Sequence, residues 1–326
     1  MARGLSIHIG LNGVDPNAYG GWDGQLAGCL NDARAMQSIA QSVGYQPQII
    51  LDQQATAAAV TSAIKAAAGM LQSGDILLLT YSGHGGQVPD PTGEEPTGMN
   101  STWVLYDRMV VDDELYALWA HFQTGVRILV LSDSCHSGTV TREMQYQYAL
   151  AGNEPLSRAY RANARKPKFR NMPLQVNQKH YLSQRRMYDV ISTYTPKGLD
   201  LRATVLLISG CQDNQLSADG ANNGLFTEKL LQVWNKGAFQ GAYSTFRNAI
   251  VAEMPPTQCP NYYVVGTSNS DFEGQQPFSI SGGAQQGGGD QGGGGWGDQG
   301  GGDQGGGWGD QGGGEGDQGG GWGDQG

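Results

Sequence analysis

Residues 75–87 read DILLLTYSGHGGQ, an apolar run of branched residues that ends in a glycine-rich turn around His84. Residues 126–138, VRILVLSDSCHSG, repeat this arrangement with Cys135 in the turn. Short apolar runs bounded by glycine or polar residues are typical of strands that are covered on both faces. Because ligands bind at the carboxyl ends of the strands in open sheets, we expect His84 and Cys135 to lie together at a binding site.

Strand-like and helix-like segments alternate along most of the chain. The predicted strands are residues 5–10, 48–51, 75–80, 126–131, 203–209 and 262–265. The predicted helices are residues 28–43, 56–71, a helix that begins at 112–114, 224–234 and 243–254. This alternation predicts an α/β fold, a three-layer α/β/α sandwich around a mostly parallel sheet. Residues 88–101, which are rich in Gly, Pro and Glu, are predicted to be a loop.

The composition changes sharply at Gly282. From there to the last residue the chain consists of units such as GGGWGDQ and contains seven acidic residues, most of the net charge of -10. Such a segment has little apolar surface to bury, so we expect residues 282–326 to be a disordered tail. Residues 1–281 are enough for one domain with a full core. Without the tail this domain is only mildly acidic, which does not suggest a nucleic-acid partner.

No apolar stretch approaches the ~18 residues needed to cross a bilayer, and the first residues carry no basic and apolar leader. We therefore expect a soluble, cytoplasmic protein with no membrane partner. The cysteines lie far apart, without a Cys-x-x-Cys pair, at Cys29, Cys135, Cys211 and Cys259. This spacing argues against a disulfide framework and a structural zinc site, and free thiols fit a reducing compartment.

A cysteine and a histidine at one edge of a sheet suggest a catalytic dyad. A thiol becomes a strong nucleophile when it loses its proton, and a nearby imidazole can take that proton. His84 is therefore predicted to be the general base and Cys135 the nucleophile. The amide N–H groups of Gly85 and Cys135 are predicted to form an oxyanion hole, since the glycines around His84 let a substrate backbone approach closely. Taken singly, each residue would more often be a buried structural residue.

Four segments carry a resemblance to a known family: residues 28–33 (GCLNDA), 81–87 (YSGHGGQ), 133–138 (DSCHSG) and 209–219 (SGCQDNQLSAD). With these motifs in this order, the chain resembles the metacaspases and orthocaspases, relatives of the caspases that cleave after Arg or Lys. The resemblance implies the caspase-hemoglobinase fold, a monomer, and a cysteine endopeptidase. Its partners would be proteins or peptides with Arg or Lys before the scissile bond.

The resemblance also assigns a pocket for the residue before the scissile bond, lined by Asp32, Ser82 and Asp133. Carboxylates at the bottom of a partly desolvated slot would select a cation and repel the Asp that caspases require. Considered without the resemblance, the two acids could simply cap turns or helices.

Residues 155–188 contain nine Lys or Arg residues and no acid. A solvated basic loop is the ordinary interpretation of such a run. The resemblance makes this segment a linker between a large-subunit part, residues 1–154, and a small-subunit part, residues 189–281, of the peptidase domain. We therefore predict that the uncut, exposed linker occupies the pocket as the tethered substrate of a zymogen, and that the enzyme cleaves itself there. The candidate cleavage positions follow Arg165, Lys166, Lys168, Arg170, Arg185 and Arg186.

Asp112 and Asp113 match a pair that helps to bind calcium in calcium-activated metacaspases. The resemblance places two further ligand positions at Asn100 and Arg142, and an arginine replaces an oxygen ligand with a positive charge. We expect the calcium site to be weak or absent, and we expect no other cofactor.

Two other functions remain open from the sequence. The chain could be a catalytically silent caspase-fold scaffold that uses its tail for assembly, although it keeps both dyad residues. It could also be a calcium-regulated interaction module, which the arginine at position 142 disfavours. Turnover of a small Arg peptide separates the peptidase from both alternatives.

Overall fold

Apolar runs of the sequence form the centre of a six-stranded sheet. The computed structural model describes residues 1–93, 95, 97–135, 168–195, 199–211, 215 and 217–281. In chain order the strands are β1 (Gly4–Gly10), β2 (Gln46–Leu51), β3 (Ile76–Ser82), β4 (Gly85–Pro89), β5 (Met99–Val104), β6 (Met109–Val111), β7 (Arg127–Asp133), β8 (Lys168–Phe169), β9 (Thr204–Ser209), β10 (Ala218–Asp219) and β11 (Asn261–Gly266). The α-helices are α1 (Cys29–Ser42), α2 (Ala57–Met70), α3 (Asp112–Trp119), α4 (Leu174–Ser183), α5 (Arg185–Tyr194), α6 (Leu225–Trp234), α7 (Tyr243–Ala252) and α8 (Ser270–Gly274).

The strand order of the main sheet is β11-β9-β7-β3-β1-β2. Its strands run parallel except for β11, which is antiparallel to β9 at one edge. Every residue of β3 and of β7 is buried. Covering on both faces explains why these central strands are nearly continuous apolar runs instead of alternating patterns.

Successive side chains of the strands point to opposite faces of the sheet, and each face has its own core. Leu77 and Leu79 of β3 belong to the core shared with α2 and α3. Ile76 and Leu78 belong to the core shared with α1, α6 and α7. Helices therefore cover both faces, and the predicted three-layer α/β/α sandwich is confirmed.

Two helices begin where polar side chains satisfy the first unpaired N–H groups. Thr56 caps α2, since its Oγ1 accepts the Ala59 N–H at 3.2 Å. The first turn of α3 contains three acids, and the Glu114 carboxylate accepts the Val111 N–H at 3.1 Å. Acids at this end also complement the helix dipole.

The segment predicted as a loop, residues 88–101, belongs in part to a second sheet. β4, β5 and β6 form an antiparallel three-stranded sheet in that order. Its middle strand ends in Thr102, Trp103 and Val104, residue types that favour strands, and Trp103 stacks on Tyr81 with 4.6 Å between ring centroids. The loop prediction is wrong at both ends of this segment because most of the Gly and Pro residues that suggested it lie between the strands.

The second half of the predicted basic linker is not an exposed loop. β8 pairs antiparallel with β10, and α4 and α5 contact β4 and β6. The segment contributes five buried residues, Arg170, Met172, Asn177, His180 and Tyr188. The nine positive charges suggest a solvated loop, but the segment also contains apolar residues at helical spacing. These residues pack into one cluster with Val104 and Met109. The first half of the linker, together with residues 136–154, lies outside the described residues.

No helix within the described ranges has the length and hydropathy of a membrane span. Residues 282–326 lie outside the described residues, so the disorder of the tail remains a prediction. The division of the domain into large-subunit and small-subunit parts also remains a prediction.

Candidate active site

β3 and β7 bring the two predicted catalytic residues to one edge of the sheet. These strands are parallel neighbours, and their last paired residues are Ser82 and Asp133. His84 and Cys135 each follow two residues later, and both are buried. The parallel register therefore brings both turns to the same side of the sheet.

His84 is held in the tautomer that suits a general base. Its Nε2 lies 3.0 Å from the carbonyl oxygen of Gly24, which can only accept a hydrogen bond. Nε2 therefore carries the proton, while Nδ1 is buried and has no hydrogen-bond partner among the described residues. The Trp22 ring packs on the imidazole with 4.8 Å between centroids. Gly24 itself has a φ of 59°, a left-handed conformation that favours glycine.

Burial keeps the His84 ring neutral. It lowers the pKa of His84 to about 4, against the opposing effect of the Gly24 carbonyl. The nearby Asn171 backbone also favours the protonated ring, but its effect is smaller. The imidazole is therefore neutral at neutral pH and has a lone pair that can accept a proton.

The two predicted oxyanion-hole donors converge on one carbonyl oxygen. The Gly85 N–H donates to the oxygen of Arg170 at 2.8 Å, and the Cys135 N–H donates to the same oxygen at 3.1 Å. The Cys135 thiol donates to the carbonyl oxygen of Gln215 at 2.7 Å. The carbonyl oxygen of Arg170 therefore lies where two N–H donors meet, an arrangement that could stabilise a developing oxyanion.

The side chain of the same arginine fills the acidic pocket. The Arg170 guanidinium is fully buried, and its Nη2 lies 2.7 Å from Asp32 Oδ2 and 3.0 Å from Asp219 Oδ1. Its Nη1 lies 2.9 Å from Asp133 Oδ2 and donates to Ser82 Oγ at 2.9 Å. The three residues that the resemblance assigned to the pocket thus surround one cation, together with a third acid.

The pocket carboxylates have further partners besides the arginine. Asp133 accepts hydrogen bonds at 2.7 Å from the hydroxyls of Ser217 and Thr227. Asp32 accepts the Gly224 N–H at 3.1 Å and the Asn223 side-chain amide at 2.8 Å. These bonds add to the contacts with the guanidinium in holding the acids in place.

Electrostatics in the pocket favour a positive charge. Burial raises the pKa of Asp32 to about 6, although Arg170 opposes this shift, and the neighbouring charge of Asp133 adds to it. Burial alone would lower the pKa of Arg170, yet Asp133 and the other acids raise it well above its ordinary value. Several buried acids around one slot therefore make a strong site for a guanidinium.

The backbone around Arg170 lies across the site in extended form. The Arg170 N–H donates to the carbonyl of Ser217 at 2.9 Å, which continues the pairing between β8 and β10. On the other side of the pocket, the Met172 N–H donates to the carbonyl of Gly85 at 2.8 Å. This strand-like docking is the form in which a peptide adds to a sheet edge.

The other candidate cleavage positions lie away from the pocket or outside the described residues. Lys168 donates from Nζ to the carbonyl of Gln25 at 2.8 Å. Arg185 and Arg186 are in the first turn of α5, and Arg185 pairs with Asp189 at 3.1 Å on the surface. The positions of Arg165 and Lys166 lie outside the described residues.

The acids considered for calcium are engaged with one another and with the backbone. The Asn100 side-chain amide donates to Asp113 Oδ2 at 3.0 Å. The two carboxylate oxygens of Asp112 accept the N–H groups of Ser101 and Asp113, and burial raises the pKa of Asp112 to about 7. Among the described residues, no group of three or more His, Cys, Asp or Glu residues could hold a metal ion. Arg142 lies outside these residues.

Asp219, Gly24 and Gly224 are among the site residues that were not identified from the sequence. Asp219 is the last residue of the segment 209–219, and its position in that motif was the available signal. Gly24 and Gly224 had no signal, because their roles depend on contacts with residues far away in the chain. An added Cβ at Gly224 would lie 2.5 Å from the guanidinium carbon of Arg170.

A family model described as the caspase domain matches residues 14–269 of this chain. Metacaspase-1 of Mycosarcoma maydis is 29% identical over 248 residues, which cover 68% of this chain and 59% of that protein. Metacaspase-1 of Kluyveromyces lactis is 30% identical over 284 residues, which cover 76% of this chain and 62% of that protein. The chain spans about three fifths of the length of these relatives.

A solved structure also resembles this chain. The crystal structure of a protein from Geobacter sulfurreducens aligns with a TM-score of 0.74 and 45% sequence identity. The alignment covers 85% of this chain and 99% of that chain. The likeness therefore extends over nearly the whole of that structure.

Proposed function

We propose that this chain, which belongs to the caspase family as a metacaspase-like member, is a cysteine endopeptidase. It cleaves peptide bonds after Arg or Lys. One observation carries the proposal: Arg170 has its guanidinium among three acids and its carbonyl oxygen on the N–H groups of Gly85 and Cys135. A single residue thus makes the contacts that a substrate residue before the scissile bond requires.

The reaction proceeds by acyl transfer through a thioester. His84 Nδ1 takes the thiol proton, and the Cys135 sulfur attacks the carbonyl carbon of the bound Arg or Lys residue. The N–H groups of Gly85 and Cys135 stabilise the oxyanion. His84 then gives its proton to the leaving amine, and water, activated by the same imidazole, hydrolyses the thioester.

The geometry of the pocket supports a preference for Arg over Lys. A guanidinium presents two terminal nitrogens, and those of Arg170 reach acids on different sides of the slot. A Lys ammonium is a single point charge and would satisfy fewer of these oxygens. An Asp in this position would face like charges.

Matched fluorogenic peptides with Arg, Lys or Asp before the scissile bond test this function. We expect turnover of the Arg peptide, slower turnover of the Lys peptide and none of the Asp peptide. A preference for Asp, or an absence of turnover of all three, would contradict the proposal. An absence of turnover together with a chain that stays uncut would favour the silent scaffold instead.

Self-processing after Arg170 is the second part of the proposal. The uncut chain would be latent, because its own arginine fills the pocket against any other substrate. Arg185 and Arg186 begin a helix, and a helical segment cannot lie extended across the site. Arg170 is therefore favoured over these two candidates.

Purified protein is expected to be cleaved into two fragments, the second of which begins at Asn171. Mass spectrometry of the wild type and of Arg170→Gln checks this result, because glutamine removes the positive charge that the acids bind. The matched control is Arg186→Gln, which changes an exposed residue in α5 and should leave processing unchanged. A fragment beginning at Asn171 in the Arg170→Gln protein would show that this cleavage does not need the positive charge, and the lack of such a fragment from the wild type would rule out this cleavage site.

Peptidase activity is expected to persist in excess chelator. Asn100, Asp112 and Asp113 bind one another and the backbone, and a hard cation needs several oxygen ligands turned toward it. Peptide turnover is measured with chelator and with added calcium. A large stimulation by calcium that is lost in Asp112→Ala would contradict the expectation and support the calcium-regulated alternative.

A further inference from the structure

The chain that follows the Arg170–Asn171 bond is held separately from the acidic pocket. Gly85 contacts both sides of this bond, since its N–H donates to the Arg170 oxygen and its carbonyl accepts the Met172 N–H, each at 2.8 Å. Only the first of these bonds involves the part that leaves with Arg170. The second remains after cleavage and holds the new amino terminus at the site.

Contacts further along anchor the same segment to the domain. Met172 is buried in the cluster beneath β4–β6. The Asn177 side chain makes two hydrogen bonds with the backbone of Gln87 in β4, one to its N–H at 3.1 Å and one to its carbonyl at 2.6 Å. His180 stacks on Tyr19 with 4.4 Å between ring centroids. These contacts lie within ten residues of Asn171.

Segments of this kind do not diffuse away when one peptide bond is cut. The amine of Asn171 would remain beside the thioester, so its attack would be intramolecular rather than a reaction with a free amine. Well-oriented intramolecular reactions reach effective molarities of ~10⁵ M or more, whereas hydrolysis depends on a water molecule that must enter the same space. The leaving group of the first reaction is thus a natural competitor of water.

We propose that the cleaved enzyme is also a transpeptidase, which joins peptides ending in Arg to the amino group of Asn171 in competition with hydrolysis. The inference rests on the proposed self-cleavage after Arg170. The substrate class is any peptide that forms a thioester through a carboxyl-terminal Arg residue. When the acyl group is the enzyme's own Arg170, the same reaction reseals the chain.

The proposed reaction needs no additional reactant. A peptide Xaa-Arg-Xaa first forms a thioester to Cys135 through the carbonyl of its Arg residue, and the bond to the following residue breaks. The amine that leaves takes a proton from His84. The neutral amine of Asn171 then attacks the thioester carbon, a C–N bond forms, and the C–S bond breaks. The amine loses a proton to His84 Nδ1, and the thiolate takes up that proton from the imidazole. An α-amine has a pKa of ~7.7–8.0, so the neutral form becomes abundant above neutral pH.

Self-cleaved wild-type protein, incubated with an excess of an acetylated Arg peptide amide, provides the test. We expect the fragment that begins at Asn171 to gain the mass of the peptidyl-Arg group, which tandem mass spectrometry locates on its α-amine. The yield of transfer relative to hydrolysis should rise by several-fold between pH ~7 and ~8.5, as the amine loses its proton. Hydrolysis of the peptide over many turnovers with no gain in fragment mass would overturn the inference. An absence of both self-cleavage and peptide hydrolysis would overturn the proposed function instead.

Two variants test whether the anchor is responsible. Asn177→Ala removes the contacts with Gln87 and should lower the ratio of transfer to hydrolysis by ~10-fold, while hydrolysis of the peptide continues. Gln178→Ala changes the exposed neighbouring residue and should leave the ratio unchanged. An equal ratio in both variants would overturn the role of the anchor. If Asn177→Ala does not fold, the mass and pH measurements on the wild type still decide the main inference.

Discussion

Replacing Cys135 with alanine is expected to abolish cleavage of Arg peptides and self-processing together. The thiol of Cys135 is the group that forms the acyl intermediate in the proposed mechanism. His84→Ala should also lose most of its activity, since the thiol would have no base beside it. In catalytic groups that act as a unit, each single loss costs ~10³-fold or more, and the double variant is little worse than either single one.

The measurement is kcat/KM on a fluorogenic Arg peptide for the two single variants and the double variant. Cys259→Ala is the matched control, because Cys259 is a half-buried thiol whose Sγ lies against Pro260 and Arg247. It should keep wild-type activity. Substantial turnover by Cys135→Ala would end the assignment of the nucleophile, and additive losses in the double variant would separate His84 from the dyad.

Gly224→Ala is expected to abolish cleavage after Arg while the fold is kept. The backbone at Gly224, with φ -63° and ψ 153°, is ordinary for alanine. An added Cβ would nevertheless lie 2.5 Å from Cζ, Nη1 and Nη2 of the bound guanidinium, well inside van der Waals contact. A side chain that cannot enter the pocket loses its charge-assisted bonds, each worth roughly 1.5–3 kcal/mol, so we expect a loss of ~100-fold or more in kcat/KM.

The matched control for this variant is Gly69→Ala in α2, where an added Cβ meets nothing within 4 Å. Thermal unfolding of both variants shows whether the fold is kept. Arg170 could not remain seated in the altered protein, so self-processing should fail as well. Full activity of a folded Gly224→Ala protein would mean that substrates use a different pocket from the one that holds Arg170.

The central sheet and the placement of the dyad could be predicted because both depend on local patterns. Residues 76–82 and 127–133 are apolar enough to identify two buried strands, and parallel strands carry their end turns to one edge. The choice among the six cleavage candidates could not be made in this way. Arg170 is distinguished from Arg185 by long-range contacts such as those with Asp32 and Asp219, which lie 138 and 49 residues away.

The folded half of the basic segment was missed for a related reason. Its charge indicated solvent, but Met172 and Tyr188 are buried against β4–β6, a sheet that was itself predicted in part as a loop. The two errors are linked, because α4 and α5 pack on β4 and β6 and lose these contacts in a fold that lacks the second sheet. Sequence patterns do not reveal long-range packing between two elements when the pattern of each element is itself modest.

Binding of a substrate arginine in the acidic pocket is also coupled to the release of a proton from the pocket. The pKa of Asp32 is about 6 even with the Arg170 guanidinium in contact, and departure of that cation would raise it further. In the activated enzyme a proton would therefore take the place of the missing charge near neutral pH, and an arriving arginine would have to displace it. KM for Arg peptides should rise as the pH falls from neutral toward ~6, because over this range the empty pocket takes up a proton that the occupied pocket does not, while kcat at saturation changes less. An acidified compartment would thus restrain this enzyme by competition, without any change in its fold.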